Sequence, residues 1–362
     1  MAPVNFADPK LAKSLLSRIH ELAPTDRPLR IMEVCGTHTM EIGRLGLRAL
    51  LPESIELLSG PGCPVCVTPA AVLDAAIEIA KWPNHTTVCF GDMIRVPGTK
   101  ESLEEAQANG ASVEMAVSPM QLIDLAKEAS ETTFVFIAVG FETTVPAIAR
   151  TVQLITEQQI PNIRFLTAHR TLPAALDALC ADADIGVHGF LLPGHVSAIL
   201  GSDAYSTIKN LTVPATVTGF EPLDILGGIY SLVEMWAEDR CEVTNLYPRI
   251  VKPKGNPAAQ QLINDVFEPC DAMWRGIGVI PGSGLKLRAP YAHLEVDPPE
   301  LPEISHTMPK GCSCGLVLQG KIGPADCPLF ADGCDPDHPV GPCMVSSEGS
   351  CAAWYRYERG RL

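Results

Sequence analysis

Residues 132–144 have the sequence TTFVFIAVGFETT, in which an apolar, β-rich run ends at a glycine. An uninterrupted apolar run of this length is typical of a strand that is buried on both faces, as the strands of parallel sheets are. Gly140 supplies a turn, and Glu142 with the two following threonines begins a helix. This order of strand, glycine turn and helix predicts an α/β architecture.

The same order recurs along the chain from residue 29. Thr68 and Pro69 predict a helix over residues 68–80, with Thr68 as the N-cap, and Ser118 with Gln121 predicts a capping box at another helix start. Alternation of this kind favours a largely parallel sheet covered by helices on both faces. The predicted strands are LRIMEV (29–34), SIELL (54–58), TTVCF (86–90), SVEMAV (112–117), TTFVFIAV (132–139), IRFLTA (163–168), VHGFLL (187–192) and PATVTG (214–219).

The chain divides into three predicted units. The strand MEV runs into Cys35-Gly36-Thr37-His38 much as FIAV runs into GFETT, which indicates two similar α/β halves at 1–130 and 131–240. Proline and glycine become frequent after about residue 240, and residues 298–309 are typical of a linker. The third unit, 241–362, therefore contains a cysteine-rich tail.

Composition excludes several classes of function. Acidic residues outnumber basic ones by 42 to 27, so the net charge of −15 argues against nucleic-acid or anionic-membrane partners. The N-terminal residues have neither signal-peptide nor transit-peptide character, and the longest weakly charged stretch, 185–201, is broken by glycines, a proline and histidines. We expect a soluble cytoplasmic protein. Neither a phosphate-binding loop nor a nucleophile elbow occurs.

Nine of the thirteen cysteines form two groups far apart in sequence. The proximal group is Cys35, Cys63 and Cys66, on glycine-rich turns at predicted strand ends. Thiols in the cytoplasm bind metal or perform redox work more often than they form structural disulfides. The C-x2-C spacing of Cys63 and Cys66 suits either one metal ion or a disulfide, and Cys35 with His38 adds a thiol and an imidazole. The set predicts a sulfur-rich site for iron or zinc.

Other polar residues follow predicted strands at the same edge of the sheet, where α/β proteins bind their ligands. Glu142 is predicted either to cap the helix that follows it or to act chemically, and His195 either to line the cleft or to cap a short helix. His169 and Arg170 are weaker candidates, for which a solvated loop is the favoured interpretation.

The distal group contains six cysteines between residues 312 and 351. One cubane cluster or one structural zinc needs four ligands, so a spare pair remains. The gaps differ from the paired knuckles of zinc ribbons. A 4Fe-4S cluster is therefore favoured over structural zinc, and disulfides come third because of the expected compartment.

Several motifs together resemble the HypD-type hydrogenase maturation factors over nearly the whole chain. They are CGTHTM (35–40), GPGCPVC (60–66), GFETT (140–144), PGHVSAILG (193–201), CPLF (327–330) and GPCMVSSEGSC (341–351). The resemblance implies two related Rossmann-like, parallel-sheet domains followed by a C-terminal iron-sulfur domain. It also implies a scaffold that holds iron while the cyanide and carbon monoxide ligands of the Fe(CN)2CO group of nickel-iron hydrogenases are installed.

The resemblance also implies roles for individual residues. Iron binding, or a change of redox state around the iron, falls on Cys35, Cys63 and Cys66. The cleft around them would be lined by His38, Glu142, Thr143 and His195. The cluster ligands are assigned as Cys312, Cys327, Cys334 and Cys351, with Cys314 and Cys343 as a neighbouring dithiol, although spacing does not choose among the six. Thr39 and Met40 receive no role.

The implied partners are a HypC-type small chaperone, a HypE-type cyanide-delivery protein and, indirectly, the hydrogenase large-subunit precursor. The chemistry of such a scaffold is coordination rather than turnover of a free substrate. The alternative is a thiol-disulfide oxidoreductase in which Cys63 and Cys66 cycle with electrons from the cluster and Cys35 is dispensable. A third interpretation is a structural protein held together by zinc.

Overall fold

The computed structural model describes residues 8–182, 184–208, 211–301 and 308–361. Part of the predicted linker, residues 302–307, lies outside the described residues, as do the first seven residues of the N-terminal segment. The helices are α1 (Pro9–Leu22), α2 (Gly36–Leu45), α3 (Pro64–Val67), α4 (Ala70–Ala80), α5 (Leu103–Ala108), α6 (Gln121–Glu128), α7 (Val145–Glu157), α8 (Leu172–Ala181), α9 (Gly194–Leu200), α10 (Pro222–Ala237), α11 (Pro257–Val266), α12 (Cys314–Leu318), α13 (Pro342–Val345) and α14 (Ser350–Tyr357).

The strands confirm the predicted α/β class. All eight predicted strands are present, and three that were not predicted follow them. The strands are β1 (Leu29–Glu33), β2 (Ile55–Ser59), β3 (His85–Phe90), β4 (Val113–Ala116), β5 (Thr133–Gly140), β6 (Ile163–Arg170), β7 (Gly189–Pro193), β8 (Ala215–Thr218), β9 (Val243–Asn245), β10 (Phe267–Trp274) and β11 (Gly278–Leu287). Apart from Thr133, every residue of β5 is buried, as its apolar run predicts.

The strands form two sheets. The first has the order β2-β1-β7-β8-β9 and is parallel throughout. The second has the order β10-β11-β6-β5-β3-β4, with a parallel part from β6 to β4 and an antiparallel hairpin, β10–β11, at one edge. Parallel-sheet domains are therefore shown.

Each of the two sheets contains strands from all three units whose boundaries were predicted at residues 130 and 240. The first sheet combines β1 and β2 with β7 to β9, and the second combines β3 to β6 with β10 and β11. The chain thus leaves the first sheet after β2, returns after β6 and leaves again after β9. Alternation in the sequence indicates where strands lie, but pairing between distant strands depends on long-range packing that alternation does not encode.

Three local predictions were wrong. The helix predicted to begin with a capping box at Ser118 begins at Gln121, and Met120 is its N-cap residue. The helix predicted to start at Thr68 begins at Ala70, because the Thr68 hydroxyl donates to the Pro64 carbonyl (2.8 Å) and so closes α3 instead of capping α4. His169 and Arg170 are buried at the end of β6 rather than in a solvated loop. The unpredicted strand β11 pairs with β6 at these two positions and removes them from solvent.

The cysteine-rich tail consists of short helices and turns that pack on the first sheet's helices. Helix α14 packs against α2, and α13 packs against α3. These contacts place the tail directly beside the loops that follow β1 and β2.

Among the described residues, no helix combines the length and the apolar character needed to cross a membrane.

Candidate thiol cleft and distal cysteine site

Cys35 follows β1 and is the N-cap residue of α2. Its backbone N–H donates to Oε2 of Glu33 (3.1 Å), and the Thr39 hydroxyl donates to Oε1 of the same carboxylate (2.5 Å). Glu33 is buried, and burial raises its pKa to about 7. Glu33 therefore stabilises the loop that carries Cys35. Thr39, which received no role from the sequence, takes part in this contact.

The loop after β2 lies directly against Cys35. A Cβ on Gly62 would stand 2.2 Å from the backbone nitrogen of Cys35, so only glycine permits this approach. The Gly36 N–H also donates to the Gly62 carbonyl (3.3 Å). Because β1 and β2 are parallel neighbours, their carboxyl ends meet at one edge, and the predicted convergence of these two motifs is confirmed.

Cys63 and Cys66 form a disulfide within this loop, with their Cα atoms 5.2 Å apart. Both are buried, and Cys63 is the N-cap residue of α3. Their two sulfurs are bonded to each other, so both must be reduced before either binds a metal ion as thiolate. Cys35 carries a free thiol.

The Cys35 thiol is strongly disfavoured as a thiolate in this structure. Burial and the nearby Glu348 carboxylate raise the pKa of Cys35 to about 12, although the backbone N–H groups of His38 and Thr37 act in the opposite direction. The thiol is consequently protonated at neutral pH. Binding of a metal ion at Cys35 therefore displaces a proton.

His38 and His195 meet through a shared aromatic ring. The Phe220 ring lies 4.7 Å from the ring of buried His38 and 4.0 Å from the ring of exposed His195, measured between centroids. Nε2 of His38 contacts the Gly219 carbonyl (2.9 Å) and the Thr218 hydroxyl (3.0 Å). Donation to the carbonyl fixes the proton on Nε2. Nδ1 is therefore an acceptor, and it is buried without a partner among the described residues.

Burial lowers the pKa of His38 to about 4, with a smaller contribution from His195. His38 is accordingly a neutral imidazole at physiological pH. A neutral ring with a buried, unpaired lone pair accepts a hydrogen bond or binds a metal ion, but it does not supply positive charge.

Glu142 follows β5 and is buried. Its Oε1 accepts from the Leu172 N–H (2.9 Å), so it caps α8 rather than the helix that follows it in sequence. Oε2 has no hydrogen-bond partner within the described ranges, and burial raises the pKa of Glu142 to about 7. The predicted cleft residue Thr143 is exposed.

Tyr205 is a buried residue whose electrostatic neighbours include Glu142 and Cys35. Its buried hydroxyl lies 2.9 Å from Oγ of Ser197, and Ser197 in turn donates to the Pro193 carbonyl (2.7 Å). Burial raises the pKa of Tyr205, and the carboxylate of Glu142 and the sulfur of Cys35 add to the shift. Tyr205 is thus hydrogen-bonded to the helix that follows β7 and interacts electrostatically with residues of the loops after β1 and β5.

The six distal cysteines line one small, almost wholly apolar cavity together with Leu329, Phe330 and Met344. Sγ of Cys314 lies 2.8 Å from Sγ of Cys343. Cys351 interacts electrostatically with Cys314, Cys312, Cys334 and Cys327. Six thiols around one enclosed space form a donor set that suits four-thiolate ligation with two sulfurs left over.

The tail also closes against the proximal loop. A Cβ on Gly36 would stand 2.3 Å from Cβ of Glu348, and the Thr37 hydroxyl donates to Oε1 of Glu348 (3.2 Å). Further along the tail, Arg48 pairs with Glu358 (3.1 Å). The distal group therefore lies beside the Cys35 loop, and the two cysteine groups belong to one packed region.

Within the described ranges, no group of three or more His, Cys, Asp or Glu side chains is arranged as a preformed metal site. At the proximal site the disulfide accounts for this, since two of the three predicted thiols are bonded to each other. The structure therefore places the predicted ligand residues of each group near one another. That they bind a metal ion or a cluster stays a prediction.

Sequence reasoning did not identify four residues of this region. They are Glu33, Tyr205, Glu348 and Arg275, a buried residue of the β10–β11 turn whose backbone N–H donates to the Val67 carbonyl (2.8 Å). Only Glu348 lay within a recognised motif, and none stood in a pattern typical of a site. Phe220 had a weak signal, because Gly-Phe-Glu at 219–221 repeats the motif that contains Glu142.

Comparison with known proteins identifies the family. Residues 10–358 match the HypD family model, described as the hydrogenase formation hypA family. The hydrogenase maturation factor HypD of Escherichia coli is 44% identical over 357 residues, which cover 97% of this chain and 95% of the relative. The factors of the same name from Azotobacter vinelandii and Rhodobacter capsulatus are each 40% identical, over 98% of this chain and 96% and 98% of the relatives, respectively. The chain belongs to the HypD family of hydrogenase maturation factors.

Proposed function

We propose that this chain acts in hydrogenase maturation as the scaffold on which iron receives its cyanide and carbon monoxide ligands. The observation that carries the proposal is the contact of the Cys35 loop with the loop of Cys63 and Cys66, which Gly62 makes possible. Three sulfurs then stand at one edge of the first sheet, and soft sulfur ligands suit iron. Family membership supports the same role.

The cargo iron binds first at Cys35, whose free thiol loses its proton on coordination. The N–H groups of Thr37 and His38 stabilise negative charge on the sulfur once that proton has left. Cys63 and Cys66 contribute only after their disulfide opens. Opening requires two electrons and two protons, which the Cys314 and Cys343 thiols supply if they close a disulfide of their own.

Neutral groups surround the cargo. His38, Glu142 and Tyr205 are all buried, and their pKa shifts keep the imidazole and the phenol neutral at physiological pH and the carboxyl partly protonated. A protonated Glu142 has a hydroxyl to donate from Oε2, the atom that lacks a partner among the described residues. Such a donor suits the nitrogen of an iron-bound cyanide, and His195 and Thr143 lie at the exposed rim.

The distal cysteines hold a 4Fe-4S cluster in this proposal. Cys312, Cys327, Cys334 and Cys351 are its ligands, and Cys314 with Cys343 is the neighbouring dithiol. The 2.8 Å approach of Cys314 and Cys343 supports a dithiol at these positions, and the choice of the four ligands rests on the family resemblance, because Cys314 also hydrogen-bonds with Cys312. When bound, the cluster supplies one-electron redox chemistry next to the dithiol.

The partners belong to the same proposal. A HypC-type chaperone is expected to share the iron, a HypE-type protein to deliver cyanide, and the hydrogenase large-subunit precursor to receive the finished group. The exposed side chain of His195 is open to contact by a second protein.

Replacement of Cys35 by alanine tests the proposal. Cys35→Ala should abolish iron loading beyond the cluster and prevent hydrogenase maturation in cells that lack the native factor, while the cluster absorbance remains. Cys241→Ala is the matched control, since Cys241 is an exposed free cysteine outside both groups. Normal maturation by Cys35→Ala would overturn the scaffold.

A second candidate is a thiol-disulfide oxidoreductase, which the disulfide between Cys63 and Cys66 favours. Its reaction would reduce a substrate disulfide and oxidise Cys63 and Cys66, with Cys35 dispensable. Repeated turnover of a model disulfide by the purified chain with a reductant, and unchanged turnover by Cys35→Ala, would support this candidate. Single turnover at most is the result that the scaffold predicts.

A further inference from the structure

Arg275 occupies the turn between β10 and β11, and its side chain is buried (4% exposed). Its backbone N–H donates to the Val67 carbonyl (2.8 Å), and Nε donates to the Thr68 carbonyl (2.6 Å). Val67 is the last residue of α3, the helix that carries Cys66. Arg275 is therefore fixed at the C-terminal end of the proximal disulfide helix.

The same turn contacts the distal tail. A Cβ on Gly276 would stand 2.2 Å from Cα of Gly315, the residue that follows Cys314. Nε2 of Gln319 donates to the Gly276 carbonyl (2.6 Å). The turn thus lies between the proximal helix and the start of α12, with no room for another side chain.

The guanidinium of Arg275 makes no hydrogen bond to a carboxylate among the described residues. Nη1 and Nη2 are buried and have no hydrogen-bond partner in the described part of the chain. Burial lowers the pKa of Arg275, and the groups that oppose this shift are, in descending order, Cys314 and Cys343 of the proposed dithiol, the proposed cluster ligand Cys312, and the Asp74 carboxylate. A buried cation without a hydrogen-bonded counter-charge is strongly unfavourable, so a further source of negative charge nearby would stabilise it.

The distal cysteines are that source when they act as thiolates. A cluster with four thiolate ligands carries net negative charge, and its charge becomes more negative on reduction. A fixed cation beside the site stabilises the reduced state more than the oxidised state, because the attraction grows with the negative charge. Arginine suits this role since it retains its proton in nearly all protein environments.

We propose that Arg275 is the counter-charge of the distal cysteine site and raises the reduction potential of the cluster held there. This inference rests on the proposed 4Fe-4S cluster. It assigns a function in the site to a residue that belongs to neither cysteine group. It also explains why a buried arginine occupies a turn whose other contacts are to backbone atoms.

The test is a redox titration of the full-length chain, reconstituted anaerobically with iron and sulfide and followed by visible absorbance and electron paramagnetic resonance. Arg275→Gln should shift the midpoint potential to more negative values, whereas Arg275→Lys, which retains the charge, should stay near the native value. Arg150→Gln is the matched control, because it makes the same change in net charge at an exposed position on α7.

Each outcome decides between the alternatives. A native potential in Arg275→Gln with a full complement of cluster would overturn the inference. Failure of both Arg275→Gln and Arg275→Lys to bind the cluster would also overturn it, since the lysine variant keeps the charge. Failure of Arg275→Gln alone, with a native potential in Arg275→Lys, would support it. Absence of any cluster from the unmodified chain would instead contradict the proposed function.

Discussion

The two cysteine groups are built on different kinds of structure. Cys35, Cys63 and Cys66 are positioned by neighbouring parallel strands, whose carboxyl ends meet at one edge of a sheet. The six distal cysteines are carried by turns and short helices that enclose a small cavity. The proximal group can therefore keep its geometry without a ligand, whereas the distal group has little regular structure to maintain it.

The two cysteine groups also differ in the chemical groups that surround them. The proximal cleft contains one free thiol, one disulfide and neutral polar groups, and His195 lies at its exposed rim. The distal cavity is almost entirely lined by sulfur and apolar side chains. The three proximal cysteines are buried, whereas Cys312, Cys327 and Cys351 of the distal group are partly exposed, so chemistry rather than accessibility distinguishes the two sites. A free thiol among neutral polar groups suits a cargo that arrives and leaves, and a cavity lined by six sulfurs suits a resident cofactor. Glu348 and Arg275 lie between the two groups and join them.

The largest expected effect is loss of the cluster, which should distinguish the proposed ligands from the proposed dithiol among the distal cysteines. Cys327→Ala should abolish cluster binding, because it removes a proposed ligand, while Cys343→Ala should retain the cluster and lose only the dithiol. Iron and sulfide content with visible absorbance after anaerobic reconstitution measures both. Equal loss in the two variants would show that the division into four ligands and one dithiol is incorrect.

Gly36→Ala should separate the tail from the proximal loop. The new Cβ would stand 2.4 Å from the Glu348 carbonyl oxygen, so a backbone segment must move, at a cost of about 1–3 kcal/mol in the free energy of unfolding. Denaturant unfolding measures the loss. Gly91→Ala is the control, since the nearest atom to its Cβ is 3.9 Å away, and equal destabilisation of the two variants would contradict the close contact.

Glu142→Gln should change how stability depends on pH. The pKa of Glu142 is about 7 in the folded chain against an ordinary 4.5, so the folded state binds more protons between these values. Stability due to this group therefore falls as pH rises from about 4.5 to about 7 and stays low above that. The variant should lack this fall and be more stable at pH 8 by roughly 1–3 kcal/mol.

Chemical denaturation at a series of pH values measures this difference. Glu128→Gln, which removes an exposed carboxylate on α6, provides the control. A native pH profile in Glu142→Gln would mean that Glu142 is ionised and solvated in the folded chain.

The smallest expected effect concerns Thr37. Thr37→Ala removes one exposed hydrogen bond to Glu348 and should cost less than about 1 kcal/mol. Thermal unfolding measures it. A loss as large as that of Gly36→Ala would mean that this hydrogen bond, rather than close backbone packing, attaches the tail to the proximal loop.

Much of the fold was predictable because strands buried on both faces have a strong local signal. The apolar run of β5 and the glycine turn after it are examples. The hairpin β10–β11 was missed, since its strands contain Pro269, Pro281 and several glycines. These residues are tolerated because β10 is an edge strand and Pro281 lies at the irregularity in the pairing of β10 with β11. The burial of His169 and Arg170 was missed as well, because β11, the strand that pairs with β6 at these positions, was not predicted.

The candidate site was predictable where its residues lie in motifs at strand ends, as Cys35 and His195 do. Glu33, Tyr205 and Arg275 have no comparable local signal, because their positions depend on contacts with segments distant in sequence. The actual role of Glu142 at the start of α8 likewise depends on how β5 and β6 pair. Long-range packing places these groups, and a single sequence does not display it.

The central claim is that the two cysteine groups hold iron separately and for different purposes. Mössbauer spectroscopy of the iron-loaded chain tests it most directly, applied to the native protein, Cys35→Ala and Cys327→Ala. We predict two iron environments in the native protein, loss of only the mononuclear signal in Cys35→Ala and loss of only the cluster signal in Cys327→Ala. A single environment in the native protein, or loss of both signals in Cys35→Ala, would contradict the claim.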